Sequence, residues 1–279
     1  MVFRTAESLQ EQIKNLGGNK KVGFIPTMGA LHHGHISLVE KAFEYAEIVV
    51  VSIFVNPKQF NKEEDLKEYP RNIEADVALL KTAGAVLVFA PSVDEVYPSD
   101  YENISLELGS IATIMEGKYR EGHFDGVINV VKRLFDIVKP DFSFFGLKDF
   151  QQLSIIEFMV ETLDLDVQII PCEIIREKTG LASSSRNERL SEQDKEDAIV
   201  ISKALKIGAE LASIFSPKDV KKVISNIVNM SNLKLEYIEI VDPKTLLSID
   251  VWMPGAQACI AAYCGEVRLI DNWQMTSFE

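Results

Sequence analysis

His32 and His35 stand three residues apart, beside Gly29 and Gly34, in the segment Pro26-Thr27-Met28-Gly29-Ala30-Leu31-His32-His33-Gly34-His35. Imidazoles at that spacing on a helix start share one face. Glycines let the backbone approach a bulky group without a Cβ in the way. A helix N-terminus adds unsatisfied N–H groups and the positive end of a dipole, an anion site. The combination suits the phosphates of a nucleotide. A sharp turn with solvated histidines is the plainer interpretation. Two histidines flanking glycine, between a strand pattern and a helix pattern, favour phosphate binding over it.

Other segments carry polar residues where a strand pattern has just ended. Asn56-Pro57-Lys58-Gln59-Phe60 is one, although a proline turn occurs anywhere. Gly146-Leu147-Lys148-Asp149-Phe150-Gln151-Gln152 is another. There Asp149 suits a helix N-cap, while Lys148, a cation beside a glycine, suits a phosphate. Gly180 to Asn187 groups Ser183, Ser184 and Ser185 with Arg186. Alone it reads as a flexible loop. Together with the histidine segment it supplies hydroxyl, backbone and guanidinium donors to a triphosphate. Tyr69-Pro70-Arg71, with Asp76 one turn into the next helix pattern, is the weakest; Arg71 reads equally as a surface cation.

The elements that must position these residues follow from periodicity. Apolar runs at Val22–Ile25, Ile48–Val55, Ala85–Phe89, Phe142–Phe145 and Val167–Ile170 read as strands buried on both faces. Helical patterns at Ile36–Ala46, Asn72–Ala83, Val127–Val138 and Phe150–Leu163 alternate with them. This βαβα order predicts an α/β fold with a doubly wound parallel sheet and right-handed crossovers. Ligands of such sheets lie beyond the carboxyl ends of the strands, where the polar segments cluster. Segment 91–125 has weak periodicity and reads as a partly irregular excursion. From about Arg176 the pattern changes to helices at Lys195–Phe215 and Lys218–Met230. Runs at Leu235–Val241, Ala258–Tyr263 and Val267–Ile270 follow, as in a small antiparallel sheet. Two domains are expected: 1–175, holding the nucleotide and substrate, and 176–279, a smaller α+β domain closing over the site.

Composition sets the outer bounds. The chain has 279 residues, 47% of them apolar and 25% charged, as in a folded globular protein. A net charge of −13 disfavours a general nucleic-acid binder, which needs a cationic surface to displace counterions. Any anionic ligand must be held by local Arg, Lys and backbone groups. No apolar run is long enough to span a bilayer, and Met1 to Glu7 lacks the apolar core of a signal peptide. Three irregularly spaced cysteines, Cys172, Cys259 and Cys264, fit a reducing compartment and no zinc spacing. A cytoplasmic location, no membrane and no nucleic-acid partner are the expectations.

Six motifs in order, PTMGALHHGH at 26–35, VSIFVNPKQF at 51–60, YPR at 69–71, EGHFDGV at 121–127, KDFQQL at 148–153 and SSRNERL at 184–190, resemble the pantothenate synthetase (pantoate–β-alanine ligase) family. HxGH alone is shared with nucleotidyltransferases and class I aminoacyl-tRNA synthetases; the full series is specific. The resemblance implies a Rossmann-like, HxGH nucleotidyltransferase-type N-terminal domain. It implies ATP-dependent condensation of (R)-pantoate with β-alanine. Pantoyl adenylate and pyrophosphate form first, with Mg²⁺, and the amine of β-alanine then displaces AMP. His35, as proton donor, with His32, Lys148 and Arg186, would be catalytic. Met28, Gly29, His32 and His35 would line the ATP site with Gly146. Lys148 would hold phosphate, Asp149 ribose, and Ile175 backbone the adenine. Ser183, Ser184, Ser185 and Arg186 would close over the phosphates. Gln59 and Gln152, beside Met28, would hold pantoate, and Gln59 also β-alanine. Neutral amides orient a carboxylate without strongly damping its nucleophilicity. The resemblance gives Mg²⁺ mainly to the ATP phosphates, with a carboxylate near Asp76 as a further candidate to which the reading does not commit, and implies a homodimer. Leu147, Thr179 and Ser183 depart from the family's usual Glu, acidic residue and Met.

A nucleotidylyltransferase transferring AMP or CMP shares the HxGH and Ser/Arg elements, but does not call for Asn-Pro-Lys-Gln or Lys-Asp-Phe-Gln-Gln. The acidic charge and the lack of an anticodon-binding extension disfavour a tRNA synthetase. A non-catalytic nucleotide sensor is disfavoured by intact His32, His35, Lys148 and Arg186.

Overall fold

A computed structural model describes residues 1–60, 66–67, 69–84 and 86–277. The chain divides into two compact units. The first comprises Met1–Glu107, Arg120–Leu147 and Ile155–Glu173. Its centre is a six-stranded sheet in the order β1-β4-β3-β2-β5-β6. The strands are β1 (Val2–Phe3), β2 (Val22–Thr27), β3 (Ile48–Ile53), β4 (Leu87–Phe89), β5 (Phe142–Gly146) and β6 (Gln168–Cys172). Every pairing in it is parallel. The helices between strands are α1 (Ala6–Leu16), α2 (His33–Ala42), α3 (Ile73–Ala83), α4 (Val93–Val96), α5 (Met115–Tyr119), α6 (His123–Val138) and α7 (Phe150–Thr162).

The central strands are apolar because both faces are covered. Phe24, Ile25, Val49, Val50, Val51 and Phe144 are fully or almost fully buried. From β2 the chain builds outward through β3 and β4, then returns to the other side of β2 with β5 and β6. The β2/β5 boundary is therefore the point where strand order reverses and a crevice opens. Thr27 and Gly146 end the two strands that flank it.

The structure refines several boundaries. β1 and α1 have no counterpart in the periodicity reading; β1 is only two residues long. Pro26 lies inside β2, not after it. β2 pairs with β5 only at Gly23 and Phe24, so the N–H that proline lacks falls beyond the end of that ladder. α2 starts at His33, with His32 as its cap, three residues before the predicted Ile36. α6 starts at His123, not Val127. Ala85, the predicted first residue of β4, lies outside the described residues. Cys172, Cys259 and Cys264 are buried free thiols, and burial pushes the Cys172 thiol up to about 11. Among the described residues no helix is long and apolar enough to cross a membrane.

The second unit comprises Leu108–Tyr119, Lys148–Ser154 and Ile174–Glu279. It contains α8 (Glu192–Leu211), α9 (Pro217–Asn229) and an antiparallel sheet of β7 (Lys234–Val241), β8 (Gln257–Cys264) and β9 (Val267–Gln274). Ser191 caps α8 in a capping box with Asp194, and Ser216 caps α9 ahead of Pro217. Apolar residues of α8 and α9, including Leu205, Val220 and Ile224, share one core with Ile238 and Ile260 of the sheet.

This unit is not the single run 176–279 that the sequence suggested, and buried polar groups explain why. Arg268 on β9 donates to both oxygens of Glu116 at 2.8 and 2.7 Å. Its Nε donates to Glu236 at 2.9 Å. Tyr237 Oη donates to Glu116 Oε1 at 2.8 Å. Burial opposes the Arg268 charge, and the two carboxylates override it and raise its pKa. The Gln151 amide donates to the carbonyls of Ile111 and Ile114 at 2.7 and 2.9 Å and accepts from Glu116 N–H at 2.9 Å. Segments 108–119 and 148–154 are thus bonded to each other, and Glu116 ties them to the sheet.

Removing one member of such a buried charge cluster leaves the others uncompensated. Arg268→Ala is expected to lower the unfolding free energy by about 3–5 kcal/mol. Urea unfolding followed by tryptophan fluorescence measures this, since Trp252 and Trp273 both lie in the second unit. A loss below ~1 kcal/mol, the size of an exposed ion pair, would mean that apolar packing alone fixes segment 108–119.

Candidate active site

In the first unit the site begins where β2 stops. Thr27 Oγ1 donates to the Ser52 carbonyl at 2.6 Å and accepts the Gly29 N–H at 3.2 Å. Gly29 has φ +85° and Ala30 φ +50°, both left-handed. A Cβ on Gly29 would lie 2.9 Å from Asp76 Oδ2, so the position requires glycine for space as well as conformation. Ala30 and Leu31 N–H donate to the two oxygens of Asp76 at 3.1 and 2.7 Å. Burial pushes the Asp76 carboxyl up, and these two donors oppose that shift.

The helix start is capped by imidazoles. His32 Nδ1 accepts the Gly34 N–H at 3.1 Å, and His35 Nδ1 accepts the His32 N–H at 3.2 Å. The ring centroids are 4.2 Å apart. A nitrogen that accepts from a backbone N–H carries no proton, so both rings hold theirs on Nε2. The result is two neighbouring rings with Nε2–H donors at the N-terminus of α2, chemistry matched to an anion.

Gln59 is held by a second set of bonds. Asn56 caps the short 3₁₀ turn Pro57–Gln59. Its Oδ1 accepts from Lys58 N–H at 3.2 Å and from Tyr97 Oη at 3.1 Å. Its Nδ2 donates to Gln59 Oε1 at 3.2 Å and to the Gly126 carbonyl at 3.1 Å. That fixes the Gln59 amide with its NH₂ toward Met28 Sδ, 2.8 Å away. His123 Nδ1 donates to the Gln59 carbonyl at 3.0 Å. A Cβ on Gly126 would meet the Lys58 carbonyl oxygen at 2.4 Å. The EGHFDGV motif therefore seats the turn that carries Gln59.

In the second unit Lys148 lies 3.7 Å from Asp149, and its own side chain is largely buried. Asn272 Nδ2 donates to the Lys148 carbonyl at 2.9 Å. The neighbouring Asp271 takes both arms of Arg176, at 2.7 and 2.9 Å. Arg176 stacks over Trp273 at 4.8 Å and bridges to Ala182 across a hairpin. In that hairpin Ser183 N–H donates to the Ile175 carbonyl at 2.9 Å. Ser184 caps the following turn, Ser185–Arg189, by accepting the Arg186 N–H at 3.3 Å. Adjacent residues of β9 thus anchor both the Lys148 segment and the Ser/Arg loop. The sequence-predicted phosphate donors Lys148, Ser183, Ser184, Ser185 and Arg186 all belong to this unit.

The family model for pantoate-beta-alanine ligase matches residues 1–274. The chain belongs to the pantoate–β-alanine ligase family. It is 47% identical to the pantothenate synthetase of Porphyromonas gingivalis over 275 residues, 97% of this chain and 98% of the relative. It is 46% identical to that of Bacteroides fragilis, with 97% of each covered. A crystal structure of pantothenate synthetase from Thermus thermophilus superposes with TM-score 0.93 at 39% identity, covering 99% of both chains. A pantoate–β-alanine ligase from Francisella tularensis, complexed with beta-gamma ATP and beta-alanine, superposes with TM-score 0.81 at 34% identity, covering 99% of this chain and 97% of that one.

For the ligase, the sequence-predicted residues fall into two groups. Met28, Gly29, His32, His35, Gln59 and Gly146 belong to the first unit; Lys148, Asp149, Gln152, Ile175, Ser183, Ser184, Ser185 and Arg186 belong to the second. Gln152 is half-buried, and its neighbour Gln151 is the buried structural amide. The sequence does not show which residues hold these side chains: Thr27, Asn56, Asp76 and His123 lie in or beside the quoted segments without that role, and Asp271 and Asn272 lie outside them. Asn56 before proline offered a signal, as a cap of the turn at Pro57. The others act across distances that spacing does not encode.

Gly126→Ala tests the seat of Gln59. Forcing a methyl against the Lys58 carbonyl is expected to cost about 1–3 kcal/mol in stability and to raise the KM for pantoate more than that for ATP. Thermal unfolding with steady-state kinetics checks both. Equal KM effects would detach the turn from pantoate.

Proposed function

We propose that the chain condenses (R)-pantoate with β-alanine through a pantoyl adenylate, releasing pyrophosphate and then AMP. The observation that carries this reading is the imidazole cap of α2: two rings that accept through Nδ1, each with an Nε2–H, at a helix N-terminus. A carboxylate oxygen of pantoate attacks the α-phosphorus of ATP, and the bond to the β-phosphate breaks. Negative charge grows on the leaving pyrophosphate. His32 and His35 donate hydrogen bonds to it, and Lys148 and Arg186 add positive charge. The β-alanine amine then attacks the acyl carbon, AMP leaves with the electron pair of the acyl–oxygen bond, and the nitrogen loses a proton to solvent to become the amide. The NH₂ face of Gln59, with Gln152, orients pantoate and leaves its carboxylate nucleophilic. Gly29 and Gly146 give the nucleotide backbone clearance, Asp149 suits ribose, and Ile175 with Ser183, Ser184 and Ser185 borders adenine and phosphates. The reading draws on residues of both units.

Among the described residues no group of three or more His, Cys, Asp or Glu side chains is placed to hold a metal. The donors that these loops offer are N–H groups, imidazoles and cations, which bind phosphate oxygens. The reading gives Mg²⁺ mainly to the phosphates of ATP and leaves its protein ligands open; bound there, it neutralises phosphate charge. A homodimer and a cytoplasmic location belong to the same reading.

With Mg²⁺ and pantoate but no β-alanine, the enzyme is expected to exchange labelled pyrophosphate into ATP, and omitting pantoate should abolish the exchange. Release of ADP would mean an acyl phosphate and a different mechanism. His35→Ala should slow the exchange by about 10²- to 10⁴-fold, the range for losing a positioned donor. Gln59→Ala and Gln152→Ala are expected to raise the KM for pantoate well above any change for ATP, because truncation leaves a substrate group unpaired. Equal changes for the two substrates would assign these amides to the scaffold.

A further inference from the structure

A cavity of about 490 Å³ beside the β2–α2 loop is walled in part by Met28, Gly29, Pro57, Arg71 and Asp76. Asp76 has no part in the chemistry above, yet it is only 4% exposed. Among the described residues no cation pairs with it; its partners are the N–H groups of Ala30 and Leu31. A carboxylate buried without a cation needs a substitute for water. The substitute here is backbone. The turn at Gly29 and Ala30, with φ +85° and +50°, aims the N–H groups of Ala30 and Leu31 at the two carboxylate oxygens, and the concavity they form is the nest that Asp76 fills. Glycine takes that conformation freely, whereas alanine resists it. Something must therefore hold Ala30 there, and the carboxylate in the nest is placed to do so. Leu31 leads directly into His32, the cap of α2.

We propose that Asp76 is a positioning residue: its carboxylate fills the nest at Ala30–Leu31 and so holds the histidine loop in the left-handed path that presents it to the nucleotide. The inference rests on the reading of residues 28–35 as the ATP site. Nest and carboxylate depend on each other. Without the anion, Ala30 relaxes toward ordinary backbone and His32 loses its alignment; without the nest, the carboxylate stays buried and unsolvated.

Asp76→Asn keeps the shape but turns one acceptor into a donor facing an N–H. The KM for ATP is expected to rise about 10- to 100-fold, as when a buried donor loses its partner, with little change in the KM for pantoate. Adding Ala30→Gly to that variant removes the resistance to left-handed φ and should recover about fivefold or more in the KM for ATP. Ala30→Gly alone should give no such gain, because Asp76 already holds the loop. A merely structural Asp76 would lower the melting temperature and the active fraction, without separating the two KM values and without rescue by glycine. An unchanged KM for ATP in Asp76→Asn, or a raised one that Ala30→Gly leaves untouched, overturns the proposal. If Asp76→Asn does not fold, Ala30→Val with Asp76 intact takes its place. A β-branched residue strongly resists left-handed φ, so the KM for ATP must rise there too, and an unchanged value overturns the proposal. His35→Ala tests the underlying reading separately. Normal pyrophosphate exchange in His35→Ala removes the ATP site from this loop, whereas slowed exchange with an unmoved KM for ATP in Asp76→Asn overturns the nest alone.

Discussion

Backbone N–H groups that leave a strand and have not yet entered a helix must find acceptors somewhere. Between Thr27 and Gly34 this chain has neither a sheet neighbour nor a helical turn to supply them. Side chains do it instead. Thr27 takes Gly29, Asp76 takes Ala30 and Leu31, His35 takes His32, and His32 takes Gly34. The path of the loop is the path that lets each of these bonds form. Two of the acceptors are the imidazoles, so the rings proposed to meet the nucleotide also shape the loop.

The same device recurs at the other segments. Asn56 closes the Pro57–Gln59 turn and in doing so turns the amide of Gln59. In the second unit Asp271 and Asn272 commit their side chains to Arg176 and to the Lys148 carbonyl. Functional groups sit on short turns whose backbone is satisfied by polar side chains from rigid strands and helices. That arrangement fixes a side chain on a loop nearly as firmly as one on a helix. It also explains why buried polar residues are concentrated here, at Ser52, Asn56, Gln59, Asp76, His123, Asp271 and Asn272.

Legibility in the sequence follows from this. The parallel sheet was readable because β2, β3 and β5 are apolar on both faces, a pattern that needs no knowledge of partners. β1 was not, because two residues carry no periodicity. The start of α2 was placed late because histidine is not an expected cap; only the geometry of Nδ1 makes it one. The HxGH and Ser-Ser-Arg residues stand out in the sequence because their types and spacing suit phosphate. Asp76 reads in the sequence as an acid one turn into a helix, near a carboxylate that the resemblance offers to magnesium. Its role depends on the loop 45 residues upstream, and no local pattern carries that. Glu116 and Gln151 hid for the same reason, and with them the membership of segments 108–119 and 148–154 in the second unit.

The imidazole cap also constrains the chemistry. Placing a second proton on either ring would set an Nδ1–H against the backbone N–H that now donates to it, so the neutral form is the one that fits. A neutral ring with Nε2–H donates a hydrogen bond and keeps its proton. Attack of a carboxylate on an α-phosphorus asks for no more than that: the nucleophile is already deprotonated, and pyrophosphate leaves as an anion. The difficulty in the step is accumulated negative charge, which fixed donors and cations relieve without reorganising. A site whose histidines are locked as donors is therefore better matched to adenylation than to a reaction that needs proton shuttling. In the proposed reading His35 acts on the growing charge through its Nε2–H, the proton that a proton-donor role would also use.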